Sequence, residues 1–224
     1  MTGKFITFEG VEGCGKSTQM EEAYRFLAGK KIPIVATREP GGTTIGNEIR
    51  NILLNRAHHG MQALTELLLY LAARAQHVKE VIRPALEAGK IVLCDRFHDS
   101  TLAYQGYGRG IDMDTISKLN ALATDGIVPD LTFLLDIDVE EGLERARQRS
   151  AQMSAGTHRV GARLDRFEED TLEFHRRIRA GYLTLAMQDP RRYVLIPAAG
   201  TPDDVRSRVL ETLGRFLKEH YERL

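Results

Sequence analysis

The chain has 224 residues, of which 42% are hydrophobic and 28% are charged, and its formal net charge is zero. This composition is typical of a globular chain with a sizeable core and excludes a disordered one. No apolar run approaches the roughly 18 residues of a membrane span, and we find no signal-peptide pattern, so we expect a cytoplasmic protein without membrane partners. The zero net charge argues against nucleic acid as the main partner.

Short apolar or β-rich runs alternate along the chain with longer segments whose apolar residues recur at helical spacing. Predicted strands cover residues 5–8, 32–37, 90–94, 131–136 and 192–196, and predicted helices cover about 16–27, 43–55, 61–87, 112–124, 139–150, 164–187 and 202–221. Between them lie a polar segment at residues 97–110 and a small, polar and basic segment at 151–162, which we interpret as a mobile loop.

This alternation predicts an α/β fold, with a five-stranded parallel sheet covered by helices on both faces and ligands bound at the carboxyl ends of the strands. We find no linker that would mark a domain boundary, so we expect residues 1–224 to form one domain.

The stretch GVEGCGKS at residues 10–17 lies between a predicted strand and a predicted helix, and it matches the pattern G-x-x-x-x-G-K-[ST]. Its glycines let successive backbone N–H groups turn toward a polyanion, and the helix behind them presents its positive end. Lys16 can reach the β- and γ-phosphates of a nucleotide, and the Ser17 hydroxyl can ligate Mg²⁺. The alternative is a glycine-rich turn that only caps a helix, but such a turn would not explain a Lys-Ser pair at this spacing. The predicted phosphate-binding loop (P-loop) comprises Gly10, Val11, Glu12, Gly13, Cys14, Gly15, Lys16, Ser17 and Thr18.

Charged side chains follow two other predicted strands. Arg38 follows the second strand, and Asp95 and Arg96 follow the third. An acid after an apolar strand beside a P-loop is the expected partner of magnesium, although it could simply end the strand. With Arg50 and Arg74, the arginines supply more positive charge than one triphosphate requires, which indicates a second phosphorylated substrate.

Five stretches together resemble the bacterial thymidylate kinases in order and spacing: FEGVEG at 8–13, TREPGG at 37–42, AARAQH at 72–77, DRF at 95–97, and AYQG at 103–106 followed by RG at 109–110. The resemblance covers essentially the whole chain. It implies the three-layer P-loop NTPase fold and transfer of the γ-phosphoryl group of ATP to dTMP with Mg²⁺, in the synthesis of dTTP. It also implies a homodimer packed through helices, for which the apolar helix around residues 64–73 offers a face, although burial within one subunit would explain that helix as well.

The resemblance also implies roles for individual residues. The P-loop would bind ATP, Ser17 and Asp95 would hold the metal, and the remaining positions would bind dTMP. Arg38 and Arg96 would grip the acceptor phosphate, Arg50 would lie on the phosphate or base side, Tyr70 would stack on the base, Arg74 would donate to a thymine carbonyl, Thr101 and Gln105 would meet the polar edge of the base, Tyr104 would crowd a ribose 2′-hydroxyl, and Glu12 would accept from the 3′-hydroxyl.

Residue patterns alone leave simpler alternatives open for several of these positions. Tyr70 lies on a leucine-rich helical face and could belong to the core. Arg50 and Arg74 could be solvated, and Thr101 and Gln105 could be ordinary surface residues.

A lid is predicted at about residues 150–163, preceded by Arg145, Arg147 and Arg149. Bacterial thymidylate kinases without an arginine in the P-loop are similar in placing the catalytic arginine in this lid. Several have a shorter connection here, so residues 150–162 resemble extra loop, and more than one arginine is a contender. We favour Arg149, which continues the helix. The predicted catalytic set is Lys16, Asp95, Arg96, Arg149, Arg159 and Arg163.

Two other functions remain open at this point. The chain could be another nucleoside-monophosphate kinase or a nucleoside kinase, although a nucleoside kinase needs fewer acceptor-phosphate arginines. It could also be a nucleotide-binding module that does not turn over.

Overall fold

A computed structural model of the chain describes residues 3–156, 166–167 and 170–220. The strands in this part of the chain are β1 (Lys4–Glu9), β2 (Ile34–Arg38), β3 (Ile91–Asp95), β4 (Leu131–Asp136) and β5 (Tyr193–Pro197). These five form one sheet in the order β2-β3-β1-β4-β5, and every neighbouring pair is parallel. The predicted five-stranded parallel sheet is therefore confirmed.

Helices connect and flank the strands. They are α1 (Lys16–Gly29), α2 (Thr44–Leu54), α3 (Ala63–His77), α4 (Arg83–Glu87), α5 (His98–Thr101), α6 (Met113–Thr124), α7 (Val139–Gly156), α8 (Leu172–Gln188) and α9 (Pro202–His220), with a 3₁₀ turn at Arg56–His58 and π-helical segments at Val78–Ile82 and Leu102–Gly108. Within the described residues, no helix combines the length and apolarity needed to cross a bilayer.

Both faces of the sheet are buried. Alternate residues of a strand point to opposite faces, and those of β1 belong to two different core clusters. Ile6 and Phe8 of β1 belong to a core cluster that includes residues of α1, α8 and α9. Phe5, from the same strand, belongs to a second cluster with Val78 and Ile82 of the π-helical segment behind α3. The sheet therefore lies between two helical layers, as predicted.

The polar segment at residues 97–110, to which the sequence pattern assigned no secondary structure, is largely helical. It forms α5 and the π-helical segment that follows, and Ala103, Gln105 and Gly106 are buried there. A π-helix does not repeat every 3.6 residues, so the apolar periodicity of an α-helix is absent from its sequence. Packing against α6 and α8 stabilises it instead.

The helices on either side of the predicted lid end and begin at other residues than predicted. Helix α7 continues to Gly156, beyond the predicted end at residue 150. Helix α8 begins at Leu172 instead of about 164, because Thr171 caps it by accepting a hydrogen bond from the backbone N–H of Phe174 at 3.2 Å. Residues 157–163 of the predicted lid lie outside the described residues.

The P-loop packs directly on the first turn of α7 through two glycines. A Cβ on Gly13 would lie 1.8 Å from the carbonyl oxygen of Gly142, and a Cβ on Gly142 would lie 2.5 Å from that of Glu12. Gly13 also has a φ of 68°, in the left-handed region that glycine adopts without strain. The shape of the P-loop thus depends on a residue about 130 positions away.

Substituting Gly142→Ala should push α7 away from the P-loop, because the new methyl group meets backbone that cannot turn aside. We expect a loss of about 1–3 kcal/mol in the free energy of unfolding, measured by urea titration. Gly214→Ala in α9 is the matched control, since a Cβ there meets no atom within 4 Å. This control should be neutral or more stable by about 0.5–1 kcal/mol. Equal effects of both variants would contradict the packing argument.

Candidate active site

The strand register brings the predicted residues to one edge of the sheet. Arg38 pairs with Asp95 across β2 and β3, and Phe8 pairs with Asp95 across β1 and β3. A cavity of about 230 Å³ opens at this edge, and Lys16, Arg38 and Arg96 all line it. The P-loop lysine and both proposed acceptor-phosphate arginines therefore share one cleft.

Most of the predicted site residues line this cavity. They are Glu12, Gly13, Gly15, Lys16, Ser17, Thr18, Arg38, Arg50, Tyr70, Asp95, Arg96, Thr101, Tyr104, Gln105 and Arg149. Gly10, Val11 and Cys14 of the P-loop are buried and do not line the cavity, and Arg74 is buried behind the cavity wall. Arg159 and Arg163 lie outside the described residues.

Lys16 is held low in the P-loop. Its Nζ donates to the carbonyl oxygens of Gly10 at 3.0 Å and Val11 at 2.8 Å, and only 8% of the residue is exposed. Gly10 has a φ of 139°, and a Cβ there would lie 2.4 Å from the carbonyl oxygen of Leu135. Two backbone carbonyl oxygens of the loop thus hold the ammonium group in this structure.

The predicted metal ligands are in contact with each other. The Ser17 Oγ donates to the Asp95 Oδ2 at 2.6 Å. Within the described residues, no cluster of three or more His, Cys, Asp or Glu side chains could enclose a metal alone. Mg²⁺ commonly takes one or two carboxylates together with substrate phosphates, so a hydroxyl and a carboxylate beside a P-loop are a donor set that fits it.

Arg96 has a strained backbone and a fixed side chain. Its φ is 70°, which is uncommon for a residue other than glycine and frequent at functional sites. Its Nη1 donates to Gly10 O at 2.9 Å, to the Ser100 hydroxyl at 3.2 Å and to the Tyr182 hydroxyl at 3.1 Å. Both hydroxyls in turn donate to the carboxylate of Glu9, at 2.6 and 2.8 Å. The guanidinium is therefore oriented toward the cavity by a buried network.

Glu12 is the charged partner of Arg96 within the P-loop. Its carboxylate accepts from Arg96 Nη2 at 3.3 Å, from the Tyr104 hydroxyl, and from His175 Nδ1 at 3.1 Å. Burial by itself would raise the pKa of Glu12, but the hydrogen bond from His175 and the positive charges of Arg96 and Lys16 lower it to about 2. Glu12 is therefore ionised at neutral pH, and it can accept a hydrogen bond from a ligand hydroxyl.

Aromatic rings form part of the cavity wall. Tyr70 and Phe167 lie with their ring centroids 6.3 Å apart, and Tyr104 meets Phe167 edge-to-face at 5.7 Å. All three rings line the cavity, together with Leu54. Flat apolar walls of this kind suit a nucleobase, which offers a π-face to stack on.

Polar side chains line the cavity beside the aromatic rings. Thr101 and Gln105 each have 1% of their surface exposed, and both line the cavity. Arg74 lies behind them, where four of its five N–H donors are engaged by Glu39, Thr101, Asn120 and the carbonyl oxygen of Phe97. Arg74 therefore reaches the cavity wall through the hydroxyl of Thr101 in this structure, and its predicted donation to a base carbonyl stays a prediction.

The arginines of α2 and α7 differ in their surroundings. Arg50 donates to the carbonyl oxygen of Pro40 at 2.9 Å while it lines the cavity. Arg145 is directed away from the cavity, toward Glu141 and the carbonyl oxygen of Ala198. Arg149 is exposed, but it also lines the cavity. Among the described arginines of α7, Arg149 is the residue that lines the cavity.

Comparison with protein families gives a direct match. The thymidylate kinase family model covers residues 8–209 of the chain.

The chain belongs to the thymidylate kinase family.

Individual relatives agree with this result. A thymidylate kinase of Solidesulfovibrio magneticus is 52% identical over 213 residues, which cover 95% of this chain and the whole of that protein. A thymidylate kinase of Geotalea uraniireducens is 54% identical over 194 residues, or 87% of this chain and 88% of that one. The crystal structure of a thymidylate kinase from Ehrlichia chaffeensis is 35% identical and superimposes with a TM-score of 0.74, covering 96% of this chain and 99% of that one. The resemblance deduced from the motifs is confirmed.

Several residues at the site had no assigned role in the sequence reasoning. Phe167 and His175 come from the region after the lid, and Glu9 and Tyr182 build the network behind Arg96. His175 and Tyr182 are seven residues apart, on one face of α8, which is a helical core pattern rather than a catalytic motif. Sequence offers no signal for them, because their role depends on what α8 packs against.

Proposed function

We propose that this chain is an ATP-dependent nucleoside-monophosphate kinase that transfers the γ-phosphoryl group of ATP to dTMP, giving dTDP and ADP. Membership of the thymidylate kinase family supports the reaction. The observation that carries the proposal is that Lys16, Arg38 and Arg96 line one cavity, which aromatic rings also line. This product lies one phosphoryl transfer short of dTTP.

Phosphoryl transfer asks the protein mainly to position two anions and to neutralise the charge that develops between them. The P-loop amides and Lys16 hold the phosphates of ATP. Arg38 and Arg96 hold the dTMP phosphate, because guanidinium groups match phosphate oxygens in pairs. The rigid network behind Arg96 supports this role, since a fixed donor loses little entropy when the phosphate binds.

The nucleoside of dTMP lies against the aromatic rings of the cavity. Tyr70 and Phe167 flank the base, and Thr101 and Gln105 meet its polar edge, with Arg74 behind them and Arg50 on the phosphate side. Glu12 accepts from the 3′-hydroxyl. Tyr104, whose hydroxyl donates to Glu12, fills the space beside the sugar and disfavours a 2′-hydroxyl.

Magnesium is the cofactor in this proposal, with Ser17 and Asp95 as its protein ligands. When bound, it neutralises phosphate charge and orients the phosphate chain. The hydrogen bond between Ser17 and Asp95 supports the assignment, because it holds both oxygen donors beside the P-loop.

We also propose that residues 1–224 act as one kinase domain, with a lid at about residues 150–163. A single large core cluster joins β1, β3, β4 and β5 to helices α1, α8 and α9, which supports one folding unit. Arg149 supplies the catalytic guanidinium in this proposal, and Arg159 and Arg163 remain contenders.

The chain forms a homodimer in this proposal through the exposed face of α2 and α3. Leu64 and Leu68, one helical turn apart, are 58% and 51% exposed, and Ile45 and Ile52 of the adjacent α2 are 54% and 43% exposed. Exposed aliphatic side chains on two helices in contact are typical of an association site. Sedimentation velocity should show a wild-type dimer at micromolar concentration and a monomer for Leu68→Lys. A monomeric wild type would contradict this assembly.

The reaction itself is tested with a panel of acceptors in a coupled assay of ADP release, with ATP and Mg²⁺ in excess. We expect turnover with dTMP, none with thymidine, and much less with dCMP or dGMP. Turnover with thymidine but not dTMP would make the chain a nucleoside kinase. Absence of ADP release with every acceptor would make it a nucleotide-binding module that does not turn over.

The role of Arg149 is tested by Arg149→Ala. If this guanidinium stabilises the charge of the transition state, kcat should fall on the order of 10³-fold while the KM for dTMP changes little. Arg147→Ala is the matched control, because Arg147 is exposed on the same helix but does not line the cavity. A decrease below about tenfold in Arg149→Ala would move the role to Arg159 or Arg163, each tested by the same substitution.

A further inference from the structure

A buried carboxylate outside the predicted site touches the residue that faces the base. Glu66 of α3 is 1% exposed, and its Oε1 accepts from Gln105 Nε2 at 2.7 Å. Its other oxygen, Oε2, accepts from Arg166 Nη2 at 2.6 Å. The Nε of Arg109 lies 3.4 Å from Oε1, so Gln105 is the closer partner of that oxygen.

The chemistry of Glu66 fixes which end of the Gln105 amide can face it. A carboxylate held between two guanidinium groups only accepts hydrogen bonds, so the amide NH₂ of Gln105 must point toward it. The carbonyl oxygen, on the opposite side of the same planar amide, is then the end that Gln105 turns away from Glu66. Gln105 lines the cavity, so this oxygen is the end of the amide that is left for a bound base.

We propose that Glu66 is a positioning residue that selects bases carrying an N3–H, by holding the carbonyl oxygen of Gln105 toward the cavity. Thymine and uracil present a donor at N3, which this oxygen accepts. Cytosine presents an unprotonated acceptor at N3, which it repels. The inference rests on the proposed function, since it concerns the edge of dTMP that the same site reads.

The surroundings of Glu66 keep it from moving. Arg166 also donates from its Nε to the carbonyl oxygen of Leu53, at 3.1 Å, which ties the group to the end of α2. Arg109 also donates to Asp170, at 2.7 and 3.1 Å. Two arginines therefore face two carboxylates, and the charge of the buried cluster is balanced without Gln105. The additional short contact to Gln105 orients the amide, and it is what the test addresses.

Glu66→Gln removes the constraint with little change in shape. The new amide can donate or accept, so the Gln105 amide can take either orientation and present its NH₂ to the base. The ratio of kcat/KM for dTMP to that for dCMP should fall by about tenfold or more. Activity with dUMP should fall in parallel with dTMP, because both bases carry the N3–H.

A charge-preserving exchange provides the rescue. In the double variant Glu66→Gln with Gln105→Glu, the amide at position 66 donates to the carboxylate at position 105, which again presents only acceptors to the base. This double variant should recover a preference for dTMP over dCMP that Glu66→Gln has lost. Asp99→Asn is the control for neutralising a buried, arginine-paired acid, since Asp99 is 0% exposed and pairs with Arg192 at 2.6 Å. It should leave the ratio unchanged.

The outcomes separate this inference from the proposed function. Failure of the wild type to phosphorylate dTMP overturns the function, whereas an unchanged dTMP-to-dCMP ratio in folded Glu66→Gln overturns the role of Glu66 alone. If the variants do not fold, the wild type still decides. NMR of its side-chain amides, with the Gln105 signal identified by its absence in Gln105→Glu or by selective labelling, should show one Gln105 proton protected from exchange without dTMP. Rapid exchange of both protons would overturn the proposal.

Discussion

The structure depends on gathering positive charge at one point of the sheet edge and keeping it there. Two phosphorylated nucleotides repel each other, so a protein that joins them end to end must hold cations between them. The parallel register places Arg38 opposite Asp95, and Lys16 and Arg96 line the same cavity. Strand pairing by itself brings Arg38 and the residues after β3 to the same cavity.

Buried acids hold the arginines of this region in place. Glu39 pairs with Arg74 at 2.8 Å, and burial would raise the pKa of Glu39, but the charges of Arg74 and His77 lower it below its usual value. Glu12 does the same for Arg96. Separating either pair would remove the opposite charge that compensates a buried or partly buried ion, which is costly. These ion pairs therefore orient the guanidinium groups before a ligand binds.

The sequence predicted the strands well and the segments around the lid poorly. β4 has the bounds expected from its apolar run, since a strand buried on both faces is hydrophobic throughout. The sequence pattern assigned no secondary structure to residues 97–110, because a π-helix lacks the ordinary helical period. The start of α8 was misplaced because the cap at Thr171 is a weaker signal than continued helix propensity. At the site, motif residues were found, and the residues that orient them were not.

By itself, the sequence determined the α/β class, the P-loop, the charged strand ends and the family. Each of these follows from short stretches of sequence that have a local physical reason. The tertiary structure decided that Arg74 lies behind the cavity wall, that Phe167 completes it, and that Glu66 meets Gln105. These contacts join residues 27 to 97 positions apart along the chain. Their geometry follows from how the helices pack, and no local pattern encodes it.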